Sequence, residues 1–421
     1  MSIAMQQPGG SVCLRETRVF AEGDPAAPAS YAVCERVVKF MLWSRGGCRV
    51  WVDGPAALIA ALRLHYAESS EGRFDAAMFE RVYGRPLELR PAPRTEFPAS
   101  RERTIALGGS LDGCRIGFDL GASDRKAAAV VDGEVVFSEE IPWDPARQAD
   151  PGWHYDQVMD SLRRAAAHLP RVDAIGGSAA GVYVDNEVRS ASLFRSVPDA
   201  DFGRARSLFH DLQAAWGGVP FEVANHGEVT ALAGAMAAGV GGLLGIAMGS
   251  SEAAGYVTRD RSLTPWLNEL AFTPIDYAPD APVDEWSLDR GCGVRYFSQQ
   301  CLPRLLPRAG IEIDEAMALP ERLVELQKLM TAGDERAARV YETIGTHFGY
   351  ALLEYADFYD FGHLLLLGRV VSGEGGAIIQ ARAREVLSVE GGPPITFHEV
   401  SERDKRHGQA VAAASLPRLE R

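Results

Sequence analysis

Residues 114–131 read CRIGFDLGASDRKAAAVV. An apolar run from Cys114 to Phe118 meets the polar turn Asp119-Leu120-Gly121-Ala122-Ser123-Asp124. A second run follows from Lys126 to Val131. Apolar runs bounded by turn residues read as strands, and the D-x-G-x-S turn joins them as a hairpin. A glycine there lets backbone N–H groups approach phosphate oxygens closely, and an aspartate at a strand end can hold a magnesium ion through water. Gly121, Ser123 and Lys126 are therefore candidate phosphate ligands, and Asp119 is a candidate magnesium residue. A plain hairpin whose aspartate caps the turn accounts for the same residues taken alone.

Outward from this hairpin the pattern is α/β. Asp132-Gly133 is a two-residue hairpin signal leading into a third strand, Glu134 to Ile141. A helix is predicted from about His154 to Leu169, with Val158, Leu162, Ala165 and Leu169 on one face, and a strand from Val172 to Gly176. Hairpins first and crossovers afterwards predict a mixed sheet covered by helices.

A second passage repeats the rhythm. Leu243 to Met248 is a strand, Gly249-Ser250-Ser251-Glu252 a turn, and Ala253 to Thr258 a returning strand. IGFDLGAS beside IAMGSSEA suggests an internal duplication. Gly249 and Ser250 then become a second pair of candidate phosphate ligands, although an ordinary Gly-Ser turn explains them if the first motif is ignored. Helices are predicted over Pro320–Thr331 and Glu335–Phe358. The buried strand His363–Leu367 runs into Gly368-Arg369 and then Ser372-Gly373-Glu374-Gly375-Gly376, with a helix from about Ala377 to Leu387. Gly368, Gly373, Gly375 and Gly376 would let an adenosine lie against the backbone near a helix N-terminus. A flexible strand-to-helix loop is the plainer reading. No G-x-x-x-x-G-K-[ST] occurs, and no G-x-G-x-x-G follows a strand, which removes a P-loop and disfavours a dinucleotide fold. Gly176-Gly177-Ser178-Ala179-Ala180 approaches a hydrolase elbow but lacks its final glycine.

Residues 1–108 read as a small α/β unit: helix Val33–Trp43, strand Cys48–Val52, helices Ala56–Tyr66 and Phe74–Tyr83, and a short strand Leu87–Leu89. The Pro-rich stretch Arg90–Ser100 reads as a linker. The unit has no tight turn between two short helices of the DNA-reading kind. It carries 14 Lys or Arg against 12 Asp or Glu in its first 104 residues, spread along the chain rather than in a block. The whole chain of 421 residues has a formal net charge of −14, which repels nucleic acid and anionic membranes unless a local basic patch offsets it. Six scattered cysteines form no C-x-x-C pair, which argues against a zinc ribbon or a disulfide framework and for a reduced, cytoplasmic compartment. The N-terminus has neither a basic region nor an apolar core of the secretory kind. Val229–Met248 is uncharged, but glycine and alanine fill more than half of it, so a helix followed by a strand is expected there.

The order of the three glycine motifs resembles the ROK (repressor, ORF, kinase) family over about residues 112–417. The resemblance implies a two-lobed, actin/hexokinase-like (ribonuclease H-like) α/β fold with an extra N-terminal α/β segment. Its divisions would be an accessory unit and linker at 1–108, a first lobe at 109–240 and a second at 241–421. It implies ATP-dependent phosphoryl transfer to a sugar or sugar-like polyol, with ATP and magnesium as cofactors and a homo-oligomer expected. After the interdomain strand the family has Asn-Asp before an Ala-rich helix; here the residues are Asn225 and His226. Asn225 would bind a sugar hydroxyl, and His226 would take the place of the base, with Glu228 two residues on. The family's Glu-x-Gly-His aligns with Glu269-Leu270-Ala271-Phe272, which keeps Glu269 for the sugar and loses the histidine. Only Gly291-Cys292-Gly293 remains of the cysteine-rich motif, with Tyr296 and Phe297 beyond it, so no zinc is expected. These departures leave open a catalytically weakened sugar- or nucleotide-binding regulator.

Overall fold

The computed structural model of the protein describes residues 1–21, 23–102, 108–399 and 402–419. Residues 103–107, at the end of the expected N-terminal segment, lie outside that description. The N-terminal unit comprises β1 (Ser2–Gln6), β2 (Val12–Glu16), α1 (Ala27–Arg45), β3 (Arg49–Asp53), α2 (Ala56–Glu68), α3 (Ser70–Tyr83) and β4 (Glu88–Pro91). Its sheet runs β2-β1-β3-β4. The β1–β2 hairpin was not expected from the sequence; it turns at Pro8-Gly9-Gly10, where Gly10 takes φ 82°. The expected linker is partly structured too. Arg90 and Pro91 belong to β4, and Arg101 bridges Val12.

The first lobe contains β5 (Cys114–Leu120), β6 (Asp124–Val131), β7 (Glu134–Pro142), α4 (Pro151–Ala166), β8 (Ala174–Ala179), β9 (Val182–Val184), β10 (Glu187–Ser190), α5 (Phe202–Arg206), α6 (Leu208–Ala215), β11 (Phe221–Asn225) and α7 (His226–Ala238). The second contains β12 (Leu243–Met248), β13 (Glu252–Val257), α8 (Leu302–Arg308), α9 (Leu319–Thr331), α10 (Glu335–Phe358), β14 (His363–Leu367), α11 (Gly373–Val389), β15 (Thr396–His398) and α12 (Glu402–Ala414). The quoted hairpin is β5–β6, at the middle of the sheet β11-β8-β5-β6-β7, and its counterpart β12–β13 opens the sheet β13-β12-β14-β15. In both sheets the first strand pairs antiparallel with the second and parallel with the next. The suspected duplication therefore extends to strand order. No helix among the described residues is long and apolar enough to cross a membrane, and Val229–Met248 divides between α7 and β12 as expected.

Two features depart from a division at residues 108 and 240. α12 returns from the end of the chain to lie on the first sheet. A Cβ at Gly117 on β5 would collide with the Ala410 carbonyl, and one at Gly176 on β8 with that of Ala413. Glycine at both points is what lets helix backbone touch strand backbone. The N-terminal unit, in turn, shares one apolar core with the second lobe. Phe40 stacks on Phe358 at 3.9 Å, and Trp43 packs on Phe272 at 4.6 Å. The Arg45 guanidinium lies 3.5 Å from the Trp266 ring centroid.

A buried ionic cluster fastens this joint. Lys39, fully enclosed, lies 3.1 Å from Asp75 and 2.7 Å from Asp289, while Arg36 reaches Asp289 at 3.0 Å. Trp43 Nε1 donates to Asp75 at 3.0 Å. Burial opposes ionisation of Asp289, but Lys39 and Arg36 outweigh it and hold its carboxyl below the usual range. Removing one partner from such a cluster leaves a buried charge unpaired, which costs about 3–5 kcal/mol. Lys39→Met should therefore lower the unfolding free energy by about that amount in urea titrations. The N-terminal unit and second lobe should still unfold in one shared transition.

Candidate active site

Three parallel strands end side by side at the edge of the first sheet. Asp119 on β5 is in register with Ser178 on β8, and Ser178 with Ala224 on β11. β11 passes directly into α7, so His226 starts its helix beside Asp119. Carboxyl ends of parallel strands are where open α/β sheets place ligands. Asp119 is 1% exposed. The Ser178 hydroxyl donates to its Oδ1 at 2.7 Å, and Gln409 Nε2 of α12 donates to the Ser178 oxygen at 3.1 Å. Ser178 is thus a buried second partner of Asp119, far from an exposed hydrolase nucleophile.

His226 Nδ1 lies 3.0 Å from Asp119 Oδ1, close but poorly aligned for a hydrogen bond. Burial works against a charge on each residue, yet each favours the charge on the other. The Asp119 carboxyl is held below its ordinary value and the His226 imidazole above its own. Asp119 Oδ2 accepts no hydrogen bond among the described residues. Beside it, Gly121 N–H donates to the Asp124 carbonyl at 2.9 Å, which closes the β5–β6 turn. Trp143 Nε1 donates to the Gly121 carbonyl at 2.8 Å. Ser123 donates to Asp124 at 2.9 Å, and Lys126 lies 3.5 Å from the same carboxylate.

A cleft of about 860 Å³ opens from His226 across to the second lobe. Thr230 and Gln409 line it on one side, Gly368, Gly373 and Arg384 on the other. Gly368 takes φ 99°, and a Cβ there would strike the Met248 carbonyl at the end of β12. The second turn follows immediately, with Gly249 N–H donating to the Ser251 carbonyl at 2.9 Å. Gly373 starts α11 at φ 68° with open space around it. Gly375 and Gly376 behave differently: their missing side chains make room for the Tyr341 ring and the Val371 carbonyl. Of the four glycines expected near adenosine, Gly368 and Gly373 line the cleft, and Gly375 and Gly376 seat the helix that forms its wall.

The expected sugar residues have structural work of their own. Asn225 caps α7: its Oδ1 accepts from Gly227 N–H at 2.7 Å, and its Nδ2 donates to the Gly181 carbonyl at 2.7 Å. Residues two apart on a helix face different ways, so Glu228 points from His226 toward Asn268, whose Nδ2 donates to it at 3.2 Å. The Asn268 and Glu269 N–H groups donate to the Ser44 and Trp43 carbonyls at 3.0 Å, so α1 holds this loop. Burial raises the Glu228 carboxyl to about 8 and that of Glu269 to about 7. Glu252, at the end of the second turn, is also raised to about 8 by burial, and neither of its oxygens has a well-aligned hydrogen-bond partner among the described residues. Sequence reading missed Glu252, although a carboxylate opening the apolar strand EAAGYV was a visible signal. Gln409 and Arg384 carried no comparable one, and Ser178 stood out only as the centre of an incomplete hydrolase elbow. Phe272, which stands where the ROK motif has histidine, lies between Trp43 and Trp286, at 4.6 and 4.8 Å. Cys292 is buried as a free thiol, and no group of three metal-ligating side chains occurs among the described residues.

No protein-family model matches the chain, and no curated protein matches it in sequence. Its fold is shared with solved structures. The ROK hexokinase of Thermus thermophilus aligns with a TM-score of 0.56 at 20% identity, over 71% of this chain and 97% of the hexokinase. A ROK family glucokinase from Streptomyces griseus, solved with glucose and AMPPNP, aligns at 0.52 and 19% identity, over 73% of this chain and all of the glucokinase (100%). A ROK family transcriptional regulator, a homologue of the E. coli MLC protein, aligns at 0.57 and 18% identity, over 73% and 79%. Sugar kinases and a regulator thus stand side by side among its structural neighbours. At this identity the likeness concerns fold alone: the chain shares the two-lobed α/β fold of these solved ROK proteins, with an N-terminal α/β unit built onto its second lobe.

Proposed function

We propose that the chain transfers the γ-phosphoryl group of ATP to a hydroxyl of a sugar or sugar-like polyol. The observation that carries this reading is the Asp119–His226 contact of 3.0 Å at the strand ends, beside a glycine-walled cleft. The Asp119 carboxylate, beside Nδ1, stabilises the imidazolium that forms as Nε2 takes the hydroxyl proton and the oxygen attacks the γ-phosphorus. ADP leaves along the opposite direction. Gly121, Ser123, Gly249 and Ser250 supply the two turns for the phosphates, and Gly368, Gly373 and Arg384 the wall for the nucleoside. Asp119 Oδ2 is the oxygen suited to magnesium, which would neutralise phosphate charge. Glu228 and Glu269 stand on the polyol side, where their raised carboxyls can donate as well as accept hydrogen bonds.

One observation favours the alternative, a sugar- or nucleotide-binding regulator with weakened catalysis. Asn225 is spent on capping α7, and Phe272 sits in an aromatic stack where the ROK motif has histidine. The two readings separate by ADP formation from Mg-ATP across hexoses, hexosamines, N-acetylated sugars and polyols. Sugar-dependent ADP release is the expected result. A flat panel from folded, nucleotide-bound protein would establish the regulator instead.

Within the kinase reading, His226→Ala should lower kcat by about 10²–10⁴-fold, the usual contribution of a positioned base. The base must be neutral, so kcat/KM should rise with pH through the His226 pKa, above the ordinary 6.5. Asp119→Asn removes the charge that raises this pKa and should move the acid limb to lower pH. An unmoved limb would mean that another group accepts the proton.

A further inference from the structure

A second cavity, of about 390 Å³, lies between the loop around residues 276–282, α8 and one face of α10, and shares no lining residue with the cleft. Three guanidinium groups reach it: Arg304 and Arg308, one helical turn apart on α8, and Arg339 on α10. In a chain of formal charge −14 this is a local concentration of positive charge. Among the described residues, neither the Arg308 nor the Arg339 side chain makes a hydrogen bond or an ion pair. Arg304 is more confined. It stacks over the Tyr296 ring, 4.7 Å from the centroid, and its Nε is buried with no partner. Its one described side-chain hydrogen bond is a 3.4 Å contact to the Arg295 carbonyl. Asp276, a carboxylate on the same cavity, accepts instead from the Tyr296 hydroxyl.

Burial pushes the Arg304 guanidinium below its usual range. Burial, joined by the field of Arg304 and Arg308, does the same to the His347 imidazole on the adjoining face of α10. A half-buried guanidinium without a carboxylate partner is costly in a folded protein. Two further arginines converging on it add repulsion. An oxyanion with several acceptor oxygens would satisfy all three, since guanidinium forks match phosphate geometry. The cavity exceeds the volume of a phosphate ion and is within the range of small-molecule sites. Leu305 and Val340 give it an apolar side, and Asp276 and Asp280 stand at its rim to accept from hydroxyl groups.

We propose that this cavity binds a small phosphorylated polyol, its phosphate held by Arg304, Arg308 and Arg339 and its hydroxyls by Asp276 and Asp280. The proposal is independent of the reading of the cleft.

The test is calorimetric titration of the full chain with inorganic phosphate and with a hexose 6-phosphate, at constant ionic strength set with sodium chloride. The hexose phosphate should bind at least tenfold more tightly than phosphate. The Arg308→Ala/Arg339→Ala double variant alters exposed side chains and should fold normally by circular dichroism. It should weaken both ligands at least tenfold. Arg384→Ala, in the cleft, should leave both affinities unchanged. Binding unaltered by the double variant, binding lost in Arg384→Ala, or none at 10 mM ligand (roughly the weak limit of specific recognition) would overturn the proposal. Equal affinities for the two ligands would overturn its polyol component.

Discussion

The closeness with which α7 can lie against the second sheet governs the rest of the molecule. A Cβ at Gly227 would strike the Ala254 carbonyl of β13, and one at Gly255 would strike the Gly227 carbonyl. Backbone meets backbone at this crossing, a separation that no larger residue permits. α7 begins where β11 of the first sheet ends, so the crossing fixes the second lobe relative to the first. It also fixes the three residues at the helix start. Asn225 caps, His226 turns toward Asp119 and the cleft, and Glu228 turns toward the loop carrying Asn268 and Glu269. The cleft is therefore a consequence of a helix wedged between two sheets, with α12 holding its other side through Gly117 and Gly176.

The N-terminal unit has a comparable role on the opposite side. Its α1 accepts hydrogen bonds from Asn268 and Glu269 and puts Trp43 against Phe272. Lys39 and Arg36 hold Asp289 in the same excursion of chain that contains Cys292. Buried ion pairs contribute little net stability compared with apolar packing, but they punish misplacement heavily. The cluster thus specifies where this loop sits. The loop held by α1 carries Glu269, so the unit that looks accessory in sequence positions one wall of the candidate site.

Three carboxyls near this wall, on Glu228, Glu252 and Glu269, are raised by burial into the range of about 7 to 8. Such groups hold their protons to higher pH than a solvated carboxylate does. Asp119, equally buried, goes the other way because His226 and Ser178 stabilise its charge. Opposite shifts in neighbouring carboxyls arise from their partners rather than from depth.

Much of the fold was legible in the chain because its signals are local. Apolar runs bounded by Gly, Asp and Ser located both hairpins, and helical periodicity located α4, α9 and α10 within a few residues. The resemblance of the two strand–turn–strand passages suggested a duplicated hairpin; that the strand order around each hairpin is also shared came only from the sheets. The β1–β2 hairpin escaped because Ser2–Glu16 mixes polar and apolar residues without a clean alternation, and its pairing is satisfied only against β3. In the site, Asp119 and His226 could each be singled out from motif position. Their 3.0 Å contact could not, since it depends on the register of β5, β8 and β11. Nor could a glycine's role be read from its identity: Gly373 opens onto the cleft, whereas Gly375 and Gly376 make room for Tyr341 and Val371. Sequence by itself determined the elements, their order and the types of residue available to a phosphate or a polyol. Tertiary structure alone decided which carboxyl is charged, which asparagine is already occupied and which arginines converge, because burial and long-range contact belong to the packed chain and to no segment of it.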